Sequence, residues 1–505
     1  MPVRMYFVLA AAAMVLLAAP GAQAQEGEKT EASISADTQS CLMCHQDVAP
    51  NIHANWAKSR MAKTTPARAM KKPEKERRVS FERVPESLAN VVVGCAECHT
   101  LRPEKHEDTF PHQGFQVHTV VTPDDCAVCH PVERKQFSKN LMSQAYGNLQ
   151  ENAVYADMVR VTNGAMIFSD MTLTHGEPDA RTNADACLFC HGTRLSVTAT
   201  ETRDTDFGPM EFPVIEGWPN QGVGRINPDD SKGSCSACHS RHQFSIEMAR
   251  KPYTCSECHK GPDVPAYKVY KVSKHANIVD SLSHGKDWDF EAVPWTAGED
   301  FTAPTCATCH ISLVDSPEGR IRAERTHQMN DRLAWRIFGL IYAHAHPKSA
   351  DTTKIKNKDG LPLPTALDGT PASAYLISEE EQALRNRRLK AVCLSCHSKA
   401  WVDGHFERFE HTIETTNHQT KVATQIMTKA WQKNAASQKN SLFDESLERK
   451  WVEQWLFYGN STRFASAMMG ADYGVFANGR WWQAKNPHDM LEMLKTELRG
   501  KAASK

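Results

Sequence analysis

The chain lacks an excess of charge of either sign: Lys and Arg number 59 and Asp and Glu 60, a formal charge of -1 over 505 residues. That balance removes the electrostatic reason to expect nucleic acid as a partner. It also lacks any apolar run of eighteen residues beyond its N-terminus, which argues against a multi-spanning membrane protein. Gly and Pro, 26 of each, are too few for a collagen-like or low-complexity chain, and 41% hydrophobic with 24% charged residues excludes intrinsic disorder. Sixteen cysteines are too sparse for a small disulfide scaffold, so their spacing carries the information rather than their number. The length allows one to four domains.

The longest apolar stretch stands at the start. Arg4 supplies a positive charge, Met5 to Ala19 is too short to span a bilayer comfortably, and Pro20 and Gly21 break the run. Ala22-Gln23-Ala24 offers small residues for cleavage before Gln25. Residues 1–24 therefore read as a secretory signal peptide, and a soluble periplasmic protein is expected.

What the chain does have is one motif, repeated. It reads Cys41-Leu-Met-Cys44-His45, Cys95-Ala-Glu-Cys98-His99, Cys126-Ala-Val-Cys129-His130 and Cys187-Leu-Phe-Cys190-His191. It continues as Cys235-Ser-Ala-Cys238-His239, Cys255-Ser-Glu-Cys258-His259, Cys306-Ala-Thr-Cys309-His310 and Cys393-Leu-Ser-Cys396-His397. A shuffled chain of this composition would hold on the order of 0.02 copies of Cys-x-x-Cys-His. On a helical turn, positions i and i+3 share a face, so both thiols can form thioethers to one haem while the His at i+4 reaches its iron. Zinc ribbons, disulfides and thioredoxin-like pairs fit less well, because none requires His directly after each pair. The reading is eight covalently bound haem c groups. No thiol is left over for an iron-sulfur cluster, a disulfide or a nucleophile.

Eight haems in roughly 480 mature residues leave about 60 residues each, too few for private cores. The expected fold is mainly α: short helices and loops around stacked haems, plus a long-helix C-terminal region. Strand signals are few, at Val91-Val92-Val93 and Val117 to Val121, and 208–228 and 360–371 read as loops. Residues 25–400 form the octahaem region, and residues 401–505 a helical region carrying an oligomer contact. In the latter, Ile413, Val422, Ile426, Met427, Trp431, Leu447, Trp451, Trp455 and Leu456 recur at helical spacing over residues 406–456. A dense aromatic tract, Phe457, Tyr458, Phe464, Tyr473, Phe476, Trp481 and Trp482, points to an oligomer interface or a substrate pocket.

Of 23 His, eight are proximal candidates, leaving fifteen for the far side of each iron. An electron carrier needs eight of them, whereas an enzyme needs at least one iron left open. The distal candidates are His53, His106, His112, His118, His275, His327, His344, His346 and His405. His242, three residues after His239, cannot easily fold back onto its own iron and is offered to another haem or its pocket. Met61 is a possible thioether ligand.

Eight such motifs followed by a helical, aromatic-rich C-terminus resemble the octahaem hydroxylamine oxidoreductase family, across nearly the whole mature chain. Further segments carry the likeness: His106-Glu-Asp-Thr-Phe, Val117-His118-Thr119, Cys187 to Arg194, Thr302 to His310, Arg336-Ile-Phe-Gly339 and Met469-Gly-Ala-Asp-Tyr473. The Cys-x-x-Cys-Lys motif typical of the rival nitrite reductases is missing. The resemblance implies a catalytic haem on Cys187, Cys190 and His191 with an open distal side, and a cross-link to it from Tyr473 of a neighbouring subunit in a homotrimer. Such a cross-link would distort the macrocycle and favour electron withdrawal from a bound nitrogen species. It also implies an Asp and a His over the open iron, for which His242 with Asp229 or Asp230 are the proposals here. Met61 stands where several relatives have His in a Trp-x-x-Ser-x-His pattern. The expected reaction is oxidation of hydroxylamine to nitric oxide or nitrite, with a c-type cytochrome as electron acceptor. Nitrite or hydroxylamine reduction, hydrazine oxidation and non-catalytic electron transfer are the alternatives.

Overall fold

The computed structural model describes residues 33–503, so the signal peptide expected over residues 1–24 lies outside the described residues. About 47% of the described residues are helical, against five sheets of two or three strands each among them. The architecture is therefore mainly α. No described helix is long and apolar enough to cross a membrane.

Through residue 398 the helices are short, and many open on Pro at their first turn, where its missing N–H costs nothing: Pro50–Lys58, Pro66–Met70, Pro123–Cys126, Pro131–Phe137 and Pro252–Ser256. Ser or Thr caps other starts, as Ser273 does for Lys274–Leu282. Of the Val117 to Val121 run only Val117 and His118 lie in a strand, Phe115–His118, which pairs antiparallel with Thr109–His112. The Val91 run makes only an isolated bridge from Val91 to Ser33.

The loop expected from residue 208 needs correction. Ser196–Thr205 and Gly208–Glu216 form a long antiparallel hairpin with a bulge between Val197 and Ala199. Pro209 and Pro213 lie in its second strand and interrupt the alternation by which a strand is read. The hairpin closes on Gly208 at φ 95°, a conformation that glycine adopts without strain.

The C-terminal part carries the largest apolar core. Lys399–Gln432 runs unbroken for 34 residues. The largely helical reading of residues 406–456 holds with an interruption, because Asn434 takes a left-handed conformation at φ 54° and a polar segment follows. Helix resumes at Ser446–Val452, passes through a wider π turn at Glu453–Tyr458, and continues as Gly459–Met468. Between these helices and Arg480–Ala503, Trp431 and Trp451 meet edge to face at 5.4 Å, and Trp451 and Trp455 at 5.7 Å. Each partnered indole N–H has a place: Trp451 Nε1 donates to Thr424 Oγ1 at 2.9 Å and Trp431 Nε1 to the Glu448 carboxylate at 2.7 Å. Val154, Tyr155 and Val161 of Ala153–Asn163 join the same core. The long helices thus brace the segment that leads into the fourth motif.

Candidate functional site

Each motif closes on itself by one helical turn. The His N–H donates to the carbonyl of the first Cys at 2.9 Å in the second, third, sixth and eighth motifs and at 3.0 Å in the fifth. That bond brings both sulfurs and the imidazole to one face. Several rings are then fixed through the nitrogen that would face away from an iron. His99 Nδ1 lies 2.8 Å from the His118 carbonyl and His191 Nδ1 3.2 Å from that of Ala145, while His310 bonds the Met329 carbonyl. This is how a metal-binding imidazole is held with its other nitrogen free. Burial pushes His239 and His310 down to about 4, so both are neutral, as a metal ligand must be.

The motifs converge on one connected cavity of about 4150 Å³, lined by all eight motif histidines and every motif cysteine except Cys44. A pocket for one small molecule is about 300–1,000 Å³, so this space suits several large groups rather than one. Sulfur neighbours give the order. Cys41 lies within electrostatic reach of Cys95, and Cys98 of Cys129. Cys126 touches Cys235, Cys238 lies near Cys255, Cys255 touches Cys306, and Cys309 lies near Cys393. Cys190 of the fourth motif touches Cys258 of the sixth. The motifs therefore run first, second, third, fifth, sixth, seventh, eighth, with the fourth attached to the sixth.

Opposing imidazoles test whether the residues fit haem. Two rings coordinating one iron from opposite sides, each through a nitrogen about 2 Å away, have centres roughly 6 Å apart. His45 and His112 are 6.1 Å apart, His99 and His242 6.4 Å, His239 and His327 6.4 Å, and His397 and His275 6.1 Å; His118 is also 6.1 Å from His99, but both its nitrogens face backbone carbonyls. Burial holds His242 and His327 down to about 4, and His275 and His112 below their ordinary value. The donor set, spacing and protonation all fit bis-imidazole haem at these four motifs.

A family described as "Seven times multi-haem cytochrome CxxCH" matches residues 225–337. A solved structure titled "Hypothetical multiheme protein" superposes with a TM-score of 0.86 and 41% identity, over 94% of this chain and 98% of that one. The chain belongs to the multihaem c-type cytochromes. A second structure, of the reducing HAO-like protein complex of Kuenenia stuttgartiensis, shares the fold at a TM-score of 0.61 and 17% identity, over 93% of this chain and 86% of that one. In sequence, the cytochrome is 24% identical over 386 residues to a Kuenenia stuttgartiensis protein named "Probable nitrite reductase-hydroxylamine oxidoreductase fusion protein". That match covers 72% of this chain and spans about a third, 35%, of the relative's length.

At the third, fourth, sixth and seventh motifs of this cytochrome no imidazole faces the motif histidine at pairing distance among the described residues, and the carboxylate beside the fourth sets that one apart. There the Asp263 carboxylate, which also lines the cavity, lies within electrostatic reach of Cys187, Cys190 and His191. Its backbone is anchored by the Asn460 side chain, which donates to the Asp263 carbonyl at 2.7 Å. The Arg336 guanidinium acts on His191 from the other sign. The motif ends on Gly192 at φ 91°, where a Cβ would overlap the backbone of Arg225, so only glycine lets residues 222–225 close behind it. Sequence reasoning missed Asp263. Its signal was the Gly261-Pro262 turn that folds the chain back four residues after His259.

The other sequence candidates scatter. His242 faces the second motif. Asp230 stands 94% exposed outside the cavity, 4.0 Å from Arg194, while Asp229 is buried against Arg102 at 3.2 Å. His53, His346, His405 and Met61 line the cavity, whereas His106, His344 and Tyr473 do not. His346 keeps a buried Nδ1 and His344 a buried Nε2 without a partner. Trp401 stacks 4.0 Å from His397 and 5.4 Å from His405. Tyr473 is half-buried on Ala471–Val475, beside the exposed Phe476 and Trp481. The expected result of His242→Ala is a new high-spin ferric signal in electron paramagnetic resonance with haem content unchanged. An unaltered spin inventory would refute a ligand role.

His106 and His118 stack at 3.6 Å in a fully buried polar cluster. His118 presents its two nitrogens to the Val120 and Leu101 carbonyls at 3.2 and 3.0 Å. His106 lies between Asp108 at 3.4 Å and Asp125 at 3.3 Å. Burial opposes charge on both His106 and Asp125, yet their mutual bonds, with those of Asp108, Thr122 and Arg102, outweigh it. His106 is raised to about 9 and Asp125 lowered to about 2. The His106 contribution to stability is complete below the ordinary His value of about 6.5 and is lost as pH rises through about 9. That of Asp125 is present above about 3.9 and is lost as pH falls through about 2. The thermal midpoint should therefore decline from neutral pH toward pH 9, and His106→Gln should flatten that decline. A mutant curve parallel to the wild type would sink this assignment.

Proposed function

We propose that this cytochrome is a periplasmic octahaem enzyme that oxidises hydroxylamine to nitric oxide or nitrite at the fourth motif and passes the electrons to a c-type cytochrome. The carrying observation is the Asp263 carboxylate, which lines the cavity within electrostatic reach of Cys187, Cys190 and His191, where no imidazole opposes His191 among the described residues. Haem c, once attached, supplies an iron that binds the substrate nitrogen and neighbouring irons that accept electrons. The chain's own residues do the rest. Ala145, through its carbonyl, orients His191, and the Asp263 carboxylate takes the protons released as substrate is oxidised. The order of sulfur neighbours supports an electron path from the fourth motif through the sixth to either end. The half-buried Tyr473 on an exposed aromatic face supports the reading in which a neighbouring copy receives it, in a homotrimer, as a cross-link to the fourth haem.

A second reading has one observation in its favour. Arg336 lines the cavity near His191 without an ion-pair partner among the described residues, and a guanidinium there suits an anion, so nitrite reduction on the same scaffold is the rival.

The deciding experiment begins with haem counting by mass spectrometry, eight groups being expected. The oxidised holoprotein then meets hydroxylamine without oxygen while the c-haem absorption bands are followed. Rapid reduction that disappears in Tyr473→Phe supports the oxidase. Haems that stay oxidised, in a protein whose reduced form is reoxidised by nitrite, would make it a reductase.

A further inference from the structure

Charge is balanced over the whole chain and strongly unbalanced in one place. Between Lys58 and Arg78 nine side chains are basic and two, Glu74 and Glu76, are acidic. Arg60 and Arg78 pair with Glu291, and Lys75 lies 4.0 Å from Asp315. Lys58, Lys63, Lys71 and Lys72 are exposed and have no carboxylate within ion-pair distance among the described residues. Lys58 ends the helix Pro50–Lys58, which packs against Ala36–Val48, the helix that carries the first motif. Lys63 donates to the Lys58 carbonyl at 3.1 Å, Lys71 and Lys72 follow the next helix, Pro66–Met70, and Lys58, Lys63 and Lys72 stand at the rim of the haem cavity.

The position of that motif gives the patch a use. In the order of sulfur neighbours among the described residues the first motif is a terminus, within electrostatic reach of the second alone. It is also open: Cys44 is exposed and Met43 beside it is 67% exposed, with Val48 and Ile52 exposed on the same pair of helices. An apolar centre next to a haem attachment site, flanked by unpaired like charges, is the arrangement of a transient protein interface. The eighth motif, the other terminus, lacks this bias, since Lys390 and Lys399 there both pair with Asp403.

We propose that the face around Lys58, Lys63, Lys71 and Lys72 docks an acidic electron-transfer protein against the first motif. The inference rests on the redox reading above and names the partner's charge and its port. An anionic membrane would also be drawn to lysines, but it has no need of a terminal haem site; the position of the patch therefore favours a redox protein.

The test uses the holoprotein, with the soluble domain of cytochrome b5 as acidic probe and mitochondrial cytochrome c as basic control. Complex formation by surface plasmon resonance and second-order electron exchange by stopped flow are both measured from low to high salt. For the wild type, exchange with the acidic probe should be fast at low salt and fall steeply as salt rises. In the quadruple variant Lys58→Glu, Lys63→Glu, Lys71→Glu, Lys72→Glu, binding should be lost and exchange slowed by about tenfold or more at low salt, with the slope reversed. The double variant Lys71→Glu, Lys72→Glu serves if the quadruple one misfolds. Unchanged binding and salt slope would overturn the proposal. So would loss of binding to phosphatidylglycerol vesicles alone, or a drop in haem content with the slope intact, which would set the lysines against haem carboxylates. Hydroxylamine oxidation with a phenazine dye as acceptor is followed in parallel. Its absence in the wild type sinks the proposed activity and leaves the docking result standing.

Discussion

Asp263→Asn is expected to slow hydroxylamine-driven haem reduction by about 10²-fold or more, the usual cost of removing a positioned proton acceptor. The amide keeps the size of the side chain and leaves the backbone bond from Asn460 to the Asp263 carbonyl in place, so the loop should hold its shape. It cannot accept a proton, and it removes the one negative group that acts on Cys187, Cys190 and His191 together. Haem content and absorption spectrum should match the wild type, while single-turnover reduction lags. The lag should shorten with added small carboxylates such as acetate, which replace the missing carboxylate. A rate within threefold of the wild type would remove Asp263 from the mechanism.

The largest stability effect is expected at Trp451. Its indole is buried between Trp431 and Trp455, and its N–H is satisfied by Thr424. Trp451→Ala leaves a cavity in a core whose walls are long helices tied at both ends, and such walls cannot collapse inward. The expected cost is about 3–5 kcal/mol, read as a fall in the thermal midpoint by calorimetry. Trp451→Phe should recover much of it, losing the hydrogen bond and keeping most of the volume. Equal losses in the two variants would show that the bond to Thr424, rather than packing, sets the stability here.

The attachment motifs were legible because thioether chemistry is local: its three residues must share one helical turn, and spacing alone reports that. The opposing ligands were not. His45 meets His112 and His239 meets His327 across stretches of chain that carry no period, so a sequence offers the pool of histidines without the pairs. His242 illustrates the difficulty, since its nearness to His239 along the chain says nothing of the second motif, which it faces. Asp263 escaped for a related reason: it follows the sixth motif and acts on His259, yet it reaches the fourth motif too, which the contact between Cys190 and Cys258 brings alongside. The C-terminal helices were readable from their apolar period, whereas their interruption near Asn434 depends on one residue's backbone conformation. The hairpin from Ser196 to Glu216 was hidden by two prolines that the second strand tolerates.

Among the described residues, the fourth motif touches the sulfur row at the sixth alone. It is a siding, then, rather than a station on the main line. Traffic from one terminus to the other passes its junction without entering it, so poisoning the substrate site would leave end-to-end conduction intact. The line itself is a reservoir: charge withdrawn in one burst at the siding can be parked along it and unloaded later, one passenger at a time, at whichever terminus a partner happens to call.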